Sequence, residues 1–136
     1  MSADPEKLRV LVVDDEMRLA DSMVGILVAS GYDATAVYSA EAAMKQAQRV
    51  RPHAVITDIV MGPVSGIELA NHLRENHPDC RILLMSGIAR QAPSGRETFV
   101  QFMPKPVSPE HLLAFVASCV PKTAPAASTN PIGEPA

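Results

Sequence analysis

Apolar residues in this chain fall into short dense runs separated by longer stretches of helical periodicity. Leu8-Arg-Val-Leu-Val-Val13 is nearly continuous in apolar character, as a strand buried on both faces requires. From Met17 to Ser30 apolar positions recur as Leu19/Ala20, Met23/Val24 and Leu27/Val28, which predicts a helix, and Gly31 supplies its C′ residue. Tyr32–Val37 predicts a weaker strand suited to a sheet edge. Ser39 is placed to N-cap a helix reaching Arg51, with Ala42/Ala43, Ala47 and Val50 inward, and Pro52 stops it. His53–Thr57 predicts a third strand, with Asp58 at its end. Ser65 and Glu68 have capping-box spacing and open a helix through Ile67, Ala70 and Leu73 that stops near His77-Pro78. Arg81–Met85 predicts a fourth strand, ending at Ser86-Gly87. Between Ile88 and Arg96, Pro93-Ser-Gly95 leaves room for about two helical turns at most. Thr98–Met103 predicts the last strand. Ser108-Pro109 then opens a helix with Leu112, Phe115/Val116 and Cys119 inward.

Strands alternating with helices imply right-handed crossovers and a parallel sheet covered on both faces. The expected fold is α/β: a doubly wound five-stranded parallel sheet, flavodoxin-like (βα)5, order 2-1-3-4-5, with a short or irregular fourth helix. Residues 1–7 are expected to be a flexible N-terminus and 8–120 the globular domain. Residues 121–136, rich in Pro and Ala without periodicity, read as a disordered tail or linker. That segment carries no core pattern, so no DNA-binding output domain is expected after the globular part.

Composition narrows the class. Hydrophobic content is 47%, charged content 20% and formal net charge −3, which suits a soluble globular protein and not direct nucleic-acid binding, which needs a basic stripe. No apolar run has the length of a membrane span, and the N-terminus has no signal-peptide character, so membrane insertion is not expected and the expected location is cytoplasmic. Cys80 and Cys119 lack metal-ligand spacing and read as core residues. His53, His72, His77 and His111 are scattered and read as surface or structural. The methionines at 23, 44, 61, 85 and 103 read as core or loop filler. No Gly-rich loop follows the first strand, so Rossmann or P-loop nucleotide binding is not expected.

Chemistry enters at the strand ends. In a parallel sheet all strand C-termini share one rim, and the 2-1-3-4-5 order puts the switch point between strands 1 and 3. Asp14/Asp15, Asp58, Ser86 and Lys105 then gather at one place. Clustered carboxylates repel, and a divalent cation relieves the repulsion. Mg2+ fits, with Asp15 and Asp58 as direct ligands, Asp14 acting through water and the Val60 backbone carbonyl as a further ligand. Such a site suits phosphoryl transfer to Asp58, with Mg2+ and Lys105 neutralising phosphoryl oxygens and Ser86 hydrogen-bonding one of them.

The motifs Val12-Val13-Asp14-Asp15-Glu16, Asp58-Ile-Val-Met61 with Gly66, Met85-Ser86-Gly87 and Lys105-Pro106 resemble those of the receiver domains of bacterial two-component response regulators, over residues 6–120. The resemblance implies phosphotransfer to Asp58 from a sensor histidine kinase or histidine phosphotransfer protein, with Mg2+, and an onward signal to an unknown downstream protein. It also implies a cis Lys105-Pro106 peptide and a switch pairing Ser86 with the aromatic Phe102. It implies no turnover enzyme, only a domain assisting its own phosphorylation and dephosphorylation. The sequence departs from the family pattern at Gly62, which displaces Pro63 by one, at the apolar Val60, and in the short segment between Ser86 and Lys105. Three rivals are an Asp-nucleophile phosphatase, a scaffold that is never phosphorylated, and the N-terminal part of a longer regulator. The first commonly needs a second Asp at position 60, where Val stands. The second is disfavoured by the complete set of polar residues.

Overall fold

A computed structural model describes residues 7–87 and 100–119. The order is β1 (Arg9–Val13), α1 (Met17–Ala29), β2 (Asp33–Val37), α2 (Ala40–Arg49), β3 (Ala54–Asp58), α3 (Gly66–Asn76), β4 (Arg81–Ser86), β5 (Val100–Pro104) and α4 (Pro109–Ser118). The five strands form one sheet, β2-β1-β3-β4-β5, with every pairing parallel. The expected strand order and fold class are therefore observed. The irregular helix predicted between Ile88 and Arg96, the start of the last strand at Thr98, and the terminal segments fall outside the described residues.

The period-two alternation of strand side chains divides the core in two. Val10, Val12, Ile56, Leu83 and Met85 point to the layer of α1 and α4, where they meet Ala20, Leu27, Leu112 and Phe115. Leu11, Val13, Val55, Ile82 and Leu84 point to the layer of α2 and α3 and meet Ala43, Ala47, Leu69 and Leu73. Each central strand thus needs apolar residues at both parities, which is why β1, β3 and β4 read as continuous apolar runs. Edge strand β2 is only half-buried and carries Asp33 and Thr35.

Local signals act where the sequence places them. The Ser39 hydroxyl accepts from Ala42 N–H at the start of α2, and Ser108 accepts from His111 N–H at the start of α4. Ser65 and Glu68 make both bonds of a capping box. Gly31 follows α1 at φ 99°, a left-handed conformation that favours glycine. His53 Nδ1 accepts from Arg9 N–H at 2.9 Å, a structural role pinning the entrance of β3 to β1. Cys80 and Cys119 are buried free thiols; burial, then the neighbouring Cys119, pushes the Cys80 thiol up to about 12. No helix among the described residues is long and apolar enough to cross a membrane.

One inward assignment is corrected. Val50 is 44% exposed: α2 ends at Arg49, and Val50 has extended backbone that takes it off the buried face. Within the periodic pair Leu27/Val28 of α1, Leu27 is the buried member, and Val28, turned about 100° around the helix, is 53% exposed.

Candidate functional site

The C-terminal ends of β1, β3, β4 and β5 bring the predicted residues to one rim. Asp14 directly follows β1 and is fully buried. Its Oδ1 accepts from Glu16 N–H at 2.9 Å, and its Oδ2 accepts from Lys105 Nζ at 3.1 Å. Both oxygens are thus engaged by the protein, whereas Asp15, next along the chain, is exposed. Glu16 is the N-cap of α1 and makes no side-chain cap bond.

Asp58 is the last residue of β3. Its Oδ2 accepts from Lys105 Nζ at 3.4 Å. Burial, then the charge of Asp14, raises the Asp58 carboxyl above its ordinary range, while Lys105 opposes that rise. Burial works against the Lys105 charge, but the hydrogen bonds and charges of Asp14 and Asp58 outweigh it and hold the ammonium above its ordinary value. Lys105 therefore stays charged at neutral pH, beside the three acidic residues Asp14, Asp15 and Asp58.

The backbone aims Lys105. Its N–H donates to the Ser86 carbonyl at 2.7 Å just past the β4–β5 ladder, and the Lys105-Pro106 peptide is cis, as the resemblance implied. Ser86 ends β4 and is buried. Phe102 lies opposite Leu84 in the β4–β5 register and packs, half-buried, against the α2/α3-side core. Val60, two residues past Asp58, is 71% exposed at the lip of the site.

Asp14, Asp15 and Asp58 can each direct one oxygen so that all three atoms lie within 4.8 Å of one another. Three hard oxygen donors with a net negative charge fit a small divalent cation. The two engaged oxygens of Asp14 fit a ligand acting through water better than a direct one.

Two contacts at the end of β3 were not foreseen in the sequence, although Gly66 stands in the motif that follows Asp58. Gly66, first residue of α3, lies so close to the end of β3 that a Cβ there would be 2.0 Å from the Asp58 carbonyl oxygen. Thr57, fully buried, donates its hydroxyl to that same carbonyl at 2.9 Å. Thr57 carried a sequence signal, a hydroxyl inside an otherwise apolar strand; for Gly66 the motif gives the residue, and the packing of α3 against β3 gives the reason for it.

An acid cluster with one lysine at the β1/β3 switch point of a 2-1-3-4-5 sheet defines a receiver-type fold and rim. The model of the response regulator receiver domain matches residues 10–117, and the chain belongs to that family. It is a receiver domain of a two-component response regulator. Response regulator MprA of Mycobacterium leprae is 29% identical over 123 residues, covering 87% of this chain and 53% of that protein. The chain spans about half the length of the curated relatives it matches. Among solved structures, the receiver domain of the hybrid histidine kinase CckA superposes with a TM-score of 0.72 at 25% identity, covering 83% of this chain and 99% of that one. The chemotaxis response regulator CheY4 of Vibrio cholerae superposes with a TM-score of 0.71 at 22% identity, covering 83% and 98%, a likeness of fold.

Proposed function

We propose that this domain accepts a phosphoryl group on Asp58 from a phosphohistidine of a sensor kinase or histidine phosphotransfer protein and signals by protein–protein contact or phosphate relay. The observation that carries this reading is Lys105 Nζ lying 3.1 Å from Asp14 and 3.4 Å from Asp58 at the rim. In the transfer an Asp58 carboxylate oxygen forms the new P–O bond as the P–N bond to the donor imidazole breaks, and the nitrogen keeps the electron pair. Lys105, already beside the acceptor, shifts its charge from the free carboxylate to the incoming phosphoryl oxygens. Ser86 hydrogen-bonds one of those oxygens, and the half-buried Phe102 follows Ser86 to change the surface around β5 and α4.

Mg2+ would be held by Asp15, Asp58 and the Val60 carbonyl, with Asp14 through water, and when bound it supplies positive charge to the transferring group. Each event modifies the domain's own aspartate, so the domain is a signalling element and not a turnover catalyst. Incubation with acetyl phosphate tests this: phosphoryl uptake should need both Mg2+ and Lys105, and uptake that needs neither would refute the reading.

Val60 sets a lifetime. An exposed apolar side chain beside the phosphoaspartate offers no hydrogen bond to an attacking water. One such bond is worth about 1 kcal/mol, roughly fivefold in rate. Val60→Asn should shorten the phosphoform half-life by about that factor. An unchanged half-life, followed by intact mass after removal of the donor, would discard the idea.

The length of the relatives favours a second reading for the chain as a whole, the N-terminal part of a longer regulator; the chemistry proposed at Asp58 is the same in both.

A further inference from the structure

The chemistry at Asp58 depends on how the segment that follows it is held. Asp58 and Val60 belong to one short exit from β3, and four contacts fix that exit. Ile59 N–H donates to the Met85 carbonyl at 2.9 Å, which ties it to β4. Gly66 N–H donates to the Ile59 carbonyl at 2.8 Å, which ties it to α3. Met61 is buried to 3% exposure in the α2/α3-side core. The fourth contact is the Thr57 hydroxyl on the Asp58 carbonyl at 2.9 Å.

The fourth is the one hydrogen bond of the four that a side chain makes. Thr57 is fully buried in a strand whose preceding residues, Ala54, Val55 and Ile56, are apolar. A hydroxyl in that position is costly unless it is hydrogen-bonded. Its one hydrogen goes to the Asp58 carbonyl, with the Met61 sulfur 3.9 Å away as a weaker neighbour. The same carbonyl also abuts Gly66. The peptide joining Asp58 to Ile59 is therefore held at its carbonyl by Thr57 and Gly66 and at its N–H by Met85.

We propose that Thr57 is a positioning residue for the phosphoacceptor: its hydroxyl sets the Asp58–Ile59 peptide plane, and through it the orientation of the Asp58 carboxylate and of the Val60 carbonyl toward the divalent cation. This rests on the function proposed for Asp58. Without the hydroxyl the peptide can rotate by a few degrees, and both oxygens swing relative to Asp15. Groups that orient metal ligands typically contribute 10- to 100-fold in affinity.

Three variants test this. Thr57→Val keeps shape and burial but loses the donor, Thr57→Ser keeps the donor, and Met61→Leu removes the sulfur and leaves the hydroxyl bond intact. Affinity for Mg2+ is measured by calorimetry without any phosphodonor, and phosphoryl uptake from acetyl phosphate is followed separately by intact mass. Thr57→Val should bind Mg2+ about 10-fold more weakly, while Thr57→Ser and Met61→Leu remain within about twofold of wild type. A general packing defect would weaken Met61→Leu as well and would not be rescued by Ser. Wild-type affinity in Thr57→Val overturns the positioning role while leaving the phosphoacceptor reading intact. A wild-type protein that binds Mg2+ but takes up no phosphate overturns the phosphoacceptor reading, and the assignment of Thr57 to it falls with it.

Discussion

The Gly66→Ala variant should be the most damaged of the single substitutions considered. The new Cβ would sit 2.0 Å from the Asp58 carbonyl oxygen, 2.9 Å from its carbon and 3.0 Å from the Ile59 Cα, all backbone atoms. No side chain can move aside, so α3 must withdraw from the end of β3 or the phosphoacceptor segment must shift. Overpacking of this kind costs about 3 kcal/mol, which lowers Tm by about 15 °C in a domain of this size. The bond from Gly66 N–H to the Ile59 carbonyl should weaken with it. Gly25 is the internal control, since a Cβ there meets nothing within 4 Å. Gly25→Ala, inside α1, should stabilise by about 0.5–1 kcal/mol. Thermal unfolding of the two variants beside wild type checks both signs, and equal Tm values would contradict the account of the α3–β3 contact.

The Lys105→Met variant should lose both stability and phosphoryl uptake. Asp14 is fully buried and Asp58 nearly so, and among the described residues Lys105 is the cation that touches both. Removing one partner of a buried ion pair costs about 3–5 kcal/mol; with the Lys105 side chain 17% exposed, about 2 kcal/mol is the expected loss at pH 7. The sign with pH follows from Asp58. Its carboxyl is already raised above its ordinary value by burial and Asp14, and loss of Lys105 removes the influences that lower it. A carboxylate whose folded pKa exceeds the unfolded value contributes stability below the unfolded pKa, and that contribution is lost as pH rises through the folded one. Lys105→Met should therefore recover stability on acidification from pH 7 toward pH 4.5 more than wild type does. Urea unfolding at the two pH values measures this; an identical pH response in both proteins would count against the coupling. Uptake from acetyl phosphate should slow by about 100-fold, the effect of losing one preorganised charge at a reacting centre.

How far these features could be read in advance depended on their range. Strands such as Ala54–Thr57 announce themselves because a sheet covered on both faces demands apolar residues at both parities. Ser39, Ser65/Glu68 and Ser108 each satisfy a helix start within three residues, so their partners are implied by spacing alone. The rim was legible because parallel topology fixes where strand ends go: once the order 2-1-3-4-5 is set, Asp14, Asp58, Ser86 and Lys105 must converge. Val50 was misjudged because helical periodicity was extended past Arg49, where the approach to Pro52 unwinds the chain. The division of labour within the rim was hidden for a different reason. The bond from Glu16 N–H to Asp14 is local, but nothing near it in the chain shows that the other Asp14 oxygen is taken by Lys105, 91 positions away. The fit of Gly66 against Asp58 and the bond from Thr57 likewise emerge only from packing.

The central claim is that Asp58 receives the phosphoryl group. Borohydride trapping tests it most directly. After incubation with acetyl phosphate and Mg2+, hydride reduces an aspartyl phosphate to homoserine, which peptide mass spectrometry locates by residue. The account predicts homoserine at position 58 in the wild type and none in Asp58→Asn. Homoserine at position 14 or 15 in the wild type, or a phosphate adduct persisting unchanged in Asp58→Asn, would contradict it.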